Sequence, residues 1–359
     1  MKPLIVPFFI SHKGCPHQCV FCNQAKIAGS SGDLPAAAEL LDKIASYRAS
    51  GRHESVEVAF YGGTFTGLPR PVMERLLTPL QPLVARGEIG SIRVSTRPDS
   101  VDAAMAEFLV QMGVRTVELG VQSMDDDVLA LSGRGHTAAH TVNACRVLQA
   151  AGMTVGMQLM PGLPGDTEEK ALASLNGCLA LRPDFLRIYP SLVINGTKLA
   201  TLYETGQYMP LSLDKAVRLC KVMLHSALAA DVKVIRIGLQ PNAELEASGT
   251  VLVGPYHPAF RQLVESALCY DLLSRLTGDI AAAETVTIAC APSRVSDIIG
   301  QKQSNLKRLL RERGVKVAAV MADPTLSCGD ILVEYGQIKR KGNIMHDLDY
   351  RTEGTSLGR

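Results

Sequence analysis

The sequence predicts an α/β fold: a partial (β/α)6 TIM-like barrel over residues 1–278, a small α+β domain over 279–341, and a flexible tail over 342–359. Three observations predict it. Short β-branched runs alternate six times with amphipathic helical stretches before residue 190. Glycine-rich or polar motifs fall at the ends of those runs, where parallel barrels gather their function. Beyond residue 284 the order changes to strand, helix, helix, strand, strand.

The first strand, Leu4–Ile10, is a continuous apolar run of the length a buried strand takes. Strands Val56–Tyr61, Ser91–Ser95, Thr116–Gly120, Thr154–Met160 and Phe185–Tyr189 follow. Helices are expected between them over Leu34–Ser50, Arg70–Ala85, Ala103–Met112, Ala138–Ala151 and Glu168–Leu181. In the second, Met73, Leu76, Leu77, Leu80 and Leu83 recur at helical spacing. Strand–helix alternation of this kind builds a parallel sheet through right-handed crossovers. The rhythm then weakens through helix Leu213–Ala230, the segment Val232–Ile237 and helix Ala259–Leu276, and Gly278 marks a boundary. The last domain reads as strand Glu284–Ala291, helices Ser293–Ile299 and Ser304–Arg313, and strands Val315–Met321 and Asp330–Tyr335.

Apolar residues make up 47% and charged residues 20% of the 359, an ordinary globular balance. A net charge of +2 gives no global attraction to nucleic acid or membrane. No apolar run approaches the ~18 residues of a membrane span, and the short run at the start has no cleavage site after it. Nine cysteines, six of them scattered singly, indicate reduced thiols in a cytoplasmic protein.

The other three cysteines lie together in Gly14-Cys15-Pro16-His17-Gln18-Cys19-Val20-Phe21-Cys22. A C-x3-C-x2-C loop can ligate three irons of a cubane cluster and leave the fourth open to a small molecule. It can also hold zinc, with His12 or His17 as a fourth ligand, although no second C-x2-C pair is present to close such a site.

The strand ends carry the remaining signals. Tyr61-Gly62-Gly63-Thr64 ends the second strand with a glycine pair, which suits close backbone approach to a ligand or a plain βα turn. Arg97, before Pro98, suits a carboxylate or a salt bridge with Asp99. Glu118 and Gly120 share one strand face, as does Gln122 if the strand continues, and this carboxylate and amide suit ribose hydroxyls. His136 faces a substrate or is a structural histidine. Gly156-Met157-Gln158-Leu159-Met160-Pro161-Gly162-Leu163-Pro164-Gly165 offers backbone to an adenine edge or forms a stiff turn. No catalytic side chain stands out.

The cysteine spacing, with Phe21 before the third cysteine, resembles the signature of the radical S-adenosylmethionine (SAM) superfamily. That resemblance implies a TIM-like radical SAM barrel with a [4Fe–4S] cluster on Cys15, Cys19 and Cys22, reduced by flavodoxin or ferredoxin. It implies SAM bound by its amino and carboxylate groups to the fourth iron and cleaved to a 5′-deoxyadenosyl radical. Gly62, Gly63 and Thr64 would then bind the SAM amino group, and Phe21 would pack near the adenine. The series Ser95–Asp99, Glu118–Ser123, Gly133–Thr137 and Leu163–Thr167, with Asn195-Gly196-Thr197 and Leu202–Tyr208, resembles the core of Elongator protein 3-like enzymes over roughly residues 1–275. Those enzymes act on wobble uridine of tRNA and couple SAM to an acetyltransferase domain. The chain ends before such a domain, so the carboxymethylation-type chemistry is not expected here. The Gly120–Ser123 element also resembles the anaerobic coproporphyrinogen oxidases, which implies tetrapyrrole decarboxylation as an alternative. A non-catalytic Fe–S or zinc protein is a second alternative.

The βααββ order and Ile298-Ile299-Gly300-x-Lys302 resemble a KH nucleic-acid-binding domain, with Gln303 in place of its second glycine. Lys302, Lys307, Arg308, Arg311, Arg313 and Lys316 concentrate there, which suits RNA, or equally a lid or dimerisation domain.

Overall fold

The computed structural model describes residues 4–28, 34–51 and 55–350. Its strands are β1 (Leu4–Phe9), β2 (Val56–Tyr61), β3 (Ser91–Thr96), β4 (Val114–Gln122), β5 (Thr154–Leu159), β6 (Phe185–Ile188), β7 (Val193–Ile194), β8 (Lys233–Ile237), β9 (Val251–Val253), β10 (Thr285–Cys290), β11 (Lys316–Ala322), β12 (Asp330–Tyr335) and β13 (Ile338–Asn343). The described residues fall into two compact units. One lies within Met1–Ser212 and Val232–Tyr256, the other within Leu213–Asp231 and His257–Arg359.

The first unit is built on a seven-stranded sheet in the order β1-β2-β3-β4-β5-β6-β8, parallel throughout. Its strands are rich in Val, Ile and Leu because helices cover the outer face. Val58, Phe60, Ile92, Val94, Val117, Leu119, Val155, Leu186 and Ile188 are fully or almost fully buried. Strands β2 and β6 lie four apart in the sheet, about 19 Å in a flat one, yet Tyr61 Oη and Arg187 Nη2 are 3.3 Å apart. The sheet is therefore curled into a half-barrel, and its concave face is polar. There Arg93 donates to Glu57 (Nε to Oε2, 2.9 Å) and to Glu118 (Nη1 to Oε1, 2.7 Å), and Thr116 Oγ1 donates to Glu57 Oε1 (3.2 Å).

All six expected barrel strands are present, within one or two residues at their ends. The seventh, β8, is an addition. Its short, half-exposed Lys-Val-Ile-Arg-Ile run follows a long helix and breaks the regular β/α spacing. The helix expected over Arg70–Ala85 is divided into Arg70–Leu77, a 3₁₀ turn at Thr78–Leu80, and Gln81–Ala85. Pro79 and Pro82 remove backbone donors at that point. Among the described residues no helix is long and apolar enough to cross a membrane.

The second unit carries a four-stranded sheet in the order β11-β10-β12-β13. Strand β10 runs parallel to β11, with the helices Val295–Ile299 and Ser304–Arg313 between them in sequence, and antiparallel to β12. The expected boundary at 278 lies inside this unit, because helices Leu213–Ala229 and Phe260–Leu276 cluster with its sheet. A Cβ on Gly342 of β13 would stand 3.0 Å from both Leu272 and Leu276, so the second helix lies directly on that strand. The tail expected from 342 begins within β13, and Tyr350 Oη donates to Asp271. Residues 351–359 lie outside the described residues. Gln303, standing where the KH pattern has glycine, adopts φ +62°, the conformation glycine would favour.

Arg93 is the cation between two buried carboxylates. Arg93→Met is expected to lower the unfolding free energy by about 3–5 kcal/mol in urea denaturation, because it leaves Glu57 buried without its counter-charge.

Candidate functional site

The loop that follows β1 lies against the turn that follows β2. His12 N donates to Gly62 O (3.0 Å), Thr64 N to Lys13 O (2.9 Å), and Lys13 N to Ile10 O (2.9 Å). A Cβ on Gly63 would fall 2.5 Å from Lys13 O and 2.6 Å from Ile10 O. One on Gly14 (φ +72°) would fall 2.1 Å from Thr64 O. The two backbones thus touch at positions that admit no side chain, which puts the glycine pair against the cysteine loop itself.

That loop presents three free thiols, Cys15 exposed, Cys19 buried and Cys22 between. Thr64 Oγ1 lies 3.2 Å from Cys15 Sγ, and Arg134 Nη1 donates to Cys19 Sγ at 3.4 Å while its Nη2 holds Gly120 O at 2.6 Å. Burial, then the neighbouring Cys19, pushes the Cys22 thiol up to about 12. A thiolate here therefore needs positive charge beside it, and coordinated iron supplies that. Of the two histidines weighed as zinc ligands, His12 has one ring nitrogen engaged and His17 packs on Gly135. His12 Nε2 accepts from Gln24 N at 2.9 Å. The ring of His17 lies where a Cβ on Gly135 would fall. Among the described residues no three His, Cys, Asp or Glu side chains converge on a single-ion site. The donor set, three thiols without a fourth ligand, fits a cluster with one iron left open.

Phe21 is buried in an apolar cluster with Val20, Val128, Leu163, Leu199 and Tyr208. This joins it to the Met160–Gly165 loop, the segment read as an adenine edge. Gly156, at the start of that motif, serves packing instead. A Cβ there would strike the Phe185 ring at 2.2 Å, so the glycine makes room for that ring.

Arg97 donates from Nε and Nη2 to both oxygens of Asp99 (2.9 and 2.8 Å), and Asp99 is held below the usual carboxylate range although burial opposes this. Arg97 Nη1 is buried without a partner among the described residues. Both roles expected of Arg97 are thus compatible: the salt bridge forms and one donor remains for a carboxylate. Glu118 Oε1 is shared by Arg93 and Arg187 (2.7 and 2.8 Å), and no hydrogen bond among the described residues uses Oε2. Gln122 does not continue the simple alternation of β4. An extra residue enters between Leu119 and Gln122, where Gln122 takes φ +66°. Its side chain accepts from Gln158 Nε2 at 3.0 Å. His136 Nε2 bonds Val121 O at 3.1 Å, as a structural histidine does.

Sequence reasoning missed Arg134, Arg93 and Arg187. The argument applied to Glu118, a charge in an apolar strand needing a partner, would have found the last two. Arg134 sits in the Gly133–Thr137 motif, where the histidine is the more conspicuous residue.

Gly63→Ala is expected to lower iron incorporation sharply on anaerobic reconstitution, measured as iron per chain, because its Cβ displaces the cysteine loop. A second expectation concerns pH. His136 is pushed down to about 3, mainly by burial and then by Arg134 and Arg97. The unfolded chain therefore takes up a proton near pH 6.5 that the folded chain refuses. Stability attributable to this group is full above pH 6.5 and falls by about 1.4 kcal/mol per pH unit below it, down to about 3. Denaturation at several pH values checks this, with His136→Gln flattening the slope.

Two family models match in succession: the radical SAM superfamily over residues 9–176 and the radical SAM C-terminal domain over 183–269. The chain is 28% identical over 232 residues to a tRNA uridine(34) acetyltransferase of Dehalococcoides mccartyi, covering 55% of this chain and 50% of that protein. It is 30% identical over 187 residues to Elongator complex protein 3 of Saccharomyces cerevisiae, covering 46% and 33%. The chain thus spans half or less of these curated relatives. In fold it is similar to an N-terminally truncated Elp3 of the archaeon Methanocaldococcus infernus, with a TM-score of 0.61 and 19% identity over 92% of this chain and 74% of that one. With the thiol loop, the glycine turn and the curled parallel sheet in place, these matches make the chain a member of the radical SAM superfamily, whose enzymes use a [4Fe–4S] cluster and SAM.

Proposed function

We propose that this chain cleaves SAM reductively to modify a tRNA base, with the wobble uridine as its target. The observation that carries the reading is a single loop that bears three free thiols, two of them touched by Thr64 and Arg134, and is locked to the Gly62–Gly63 turn. The bound cluster and SAM supply a carbon-centred radical able to abstract hydrogen. The chain's own residues hold and orient. Cys15, Cys19 and Cys22 ligate three irons, and the Thr64 hydroxyl and Arg134 guanidinium stabilise two of the thiolates.

For SAM itself, the backbone of Gly62, Gly63 and Thr64 faces the amino group, and the free Nη1 of Arg97 pairs the carboxylate. Glu118 Oε2 and the Gln122 amide take the ribose, and Phe21 with the Met160–Gly165 loop walls the adenine. Reduced flavodoxin or ferredoxin delivers the electron, in the cytoplasm. The names of the curated relatives support the tRNA substrate. In the second unit, Gly300, Lys302 and Gln303 all take positive φ just before the basic helix Ser304–Arg313, which supports an RNA-backbone contact there.

An anaerobic assay for 5′-deoxyadenosine tests the reading. The reconstituted protein should carry about four irons, as its cluster type requires, and bulk tRNA should raise 5′-deoxyadenosine formation. Cys15→Ala should abolish it. Full cleavage by a Cys15→Ala variant that keeps its iron would sink the assignment.

A further inference from the structure

The concave face of the barrel holds polar groups that the cofactor assignments leave unused. Arg187 on β6 donates from Nη1 to Tyr189 Oη (3.0 Å), and from Nη2 to Glu118 Oε1 (2.8 Å) and Tyr61 Oη (3.3 Å). Its Nε is buried without a partner among the described residues. A guanidinium has donors only, so the Tyr189 oxygen accepts and its own O–H remains to be given. No hydrogen bond among the described residues uses that proton. Arg187, Tyr61 and Tyr189 are each only half-buried, so a ligand can reach them.

The geometry points to Arg187 and Tyr189 as a paired donor site for a neutral carbonyl oxygen of the substrate, O4 of a uracil ring. The identification of the ring rests on the tRNA reading above. Three features of the site select the ligand. First, it offers two unused donors, the Tyr189 O–H and the buried Arg187 Nε, and the phenol is polarised by the cation it binds. Second, its charge is already balanced, Glu57 and Glu118 against Arg93 and Arg187. A carboxylate or phosphate added here would bury an unpaired negative charge, whereas a carbonyl would not. Third, Tyr61 directly precedes the glycine pair that lies against the cysteine loop, which puts the site at the cofactor end of the sheet.

The same logic sets specificity. Uracil presents an acceptor at ring position 4 where cytosine presents an amino donor. An amino group there cannot accept from the Tyr189 hydroxyl or from the Arg187 Nε, so the buried Nε stays unpaired.

The test uses the full reconstituted chain with two fluorescent anticodon stem-loops that differ only in U or C at the wobble position. Fluorescence anisotropy is expected to show the uridine RNA binding about tenfold tighter, the size of one good polar contact. Tyr189→Phe should bring the two affinities together by weakening the uridine RNA alone, and Arg187→Lys should do the same. A ratio unchanged in both variants overturns the assignment. Equal binding of both RNAs by the wild type also overturns it, while tRNA-stimulated 5′-deoxyadenosine formation would leave the tRNA reading standing. Binding of neither RNA, with no stimulation by tRNA, overturns both.

Discussion

Everything in the site depends on a contact between two stretches of backbone. The carbonyls of Ile10 and Lys13 approach Gly63 more closely than any side chain permits, and the carbonyl of Thr64 does the same at Gly14. This contact fixes the thiol loop against the end of β2 without using a polar side chain. Thr64 is thereby brought to Cys15, and Arg134 reaches Cys19 from the far side while anchored on the carbonyl of Gly120 in β4. A loop with an exposed cysteine and a histidine at φ +57° would have little order of its own. Its order comes from the sheet.

A second constraint acts inside the barrel. Burying two carboxylates is costly unless cations meet them, and Arg93 does so from β3, between their two strands, while Arg187 reaches Glu118 from β6 across the concave face. The result is a rigid polar interior with no net charge. A wet, singly charged interior would tolerate many ligands. This one discriminates, because any charged guest must bring its own counter-charge. The Phe185 ring, admitted by Gly156 and lying 5.2 Å from the Arg93 guanidinium, adds an apolar surface beside that network.

The sheet is largely legible in the sequence because six of its seven strands carry β-branched and apolar residues between turn signals, even where Glu57, Arg93, Glu118, Gln158 or Arg187 interrupts the run. Strand β8 is not, since its Lys233, Ile235 and Arg236 keep it half exposed at the sheet's edge. The thiols and the glycine pair can be found because their spacing is local. Arg93 and Arg187 reach Glu118, and Arg134 reaches Cys19, over separations of 25, 69 and 115 residues, and no short-range spacing encodes those contacts. Glu118 stands out in the sequence as a charge needing a partner, but its partners are arginines of the same barrel. Strand β13, which spans the expected end of the domain at 341, does not read as a strand because Ile338-Lys339-Arg340-Lys341-Gly342-Asn343 offers no apolar face; it is held by the hairpin with β12.

The interleaving of the two units bears on how the chain can be made. Helix Leu213–Ala229 leaves the first unit before β8 returns to complete its sheet. During synthesis, then, the parallel sheet lacks its last strand until residue 237 has emerged, while that helix waits for partners still to be translated. Neither unit can be released by a single proteolytic cut between them, and insertion of a foreign domain at residue 278 would split the second unit, separating helix Phe260–Leu276 from its sheet.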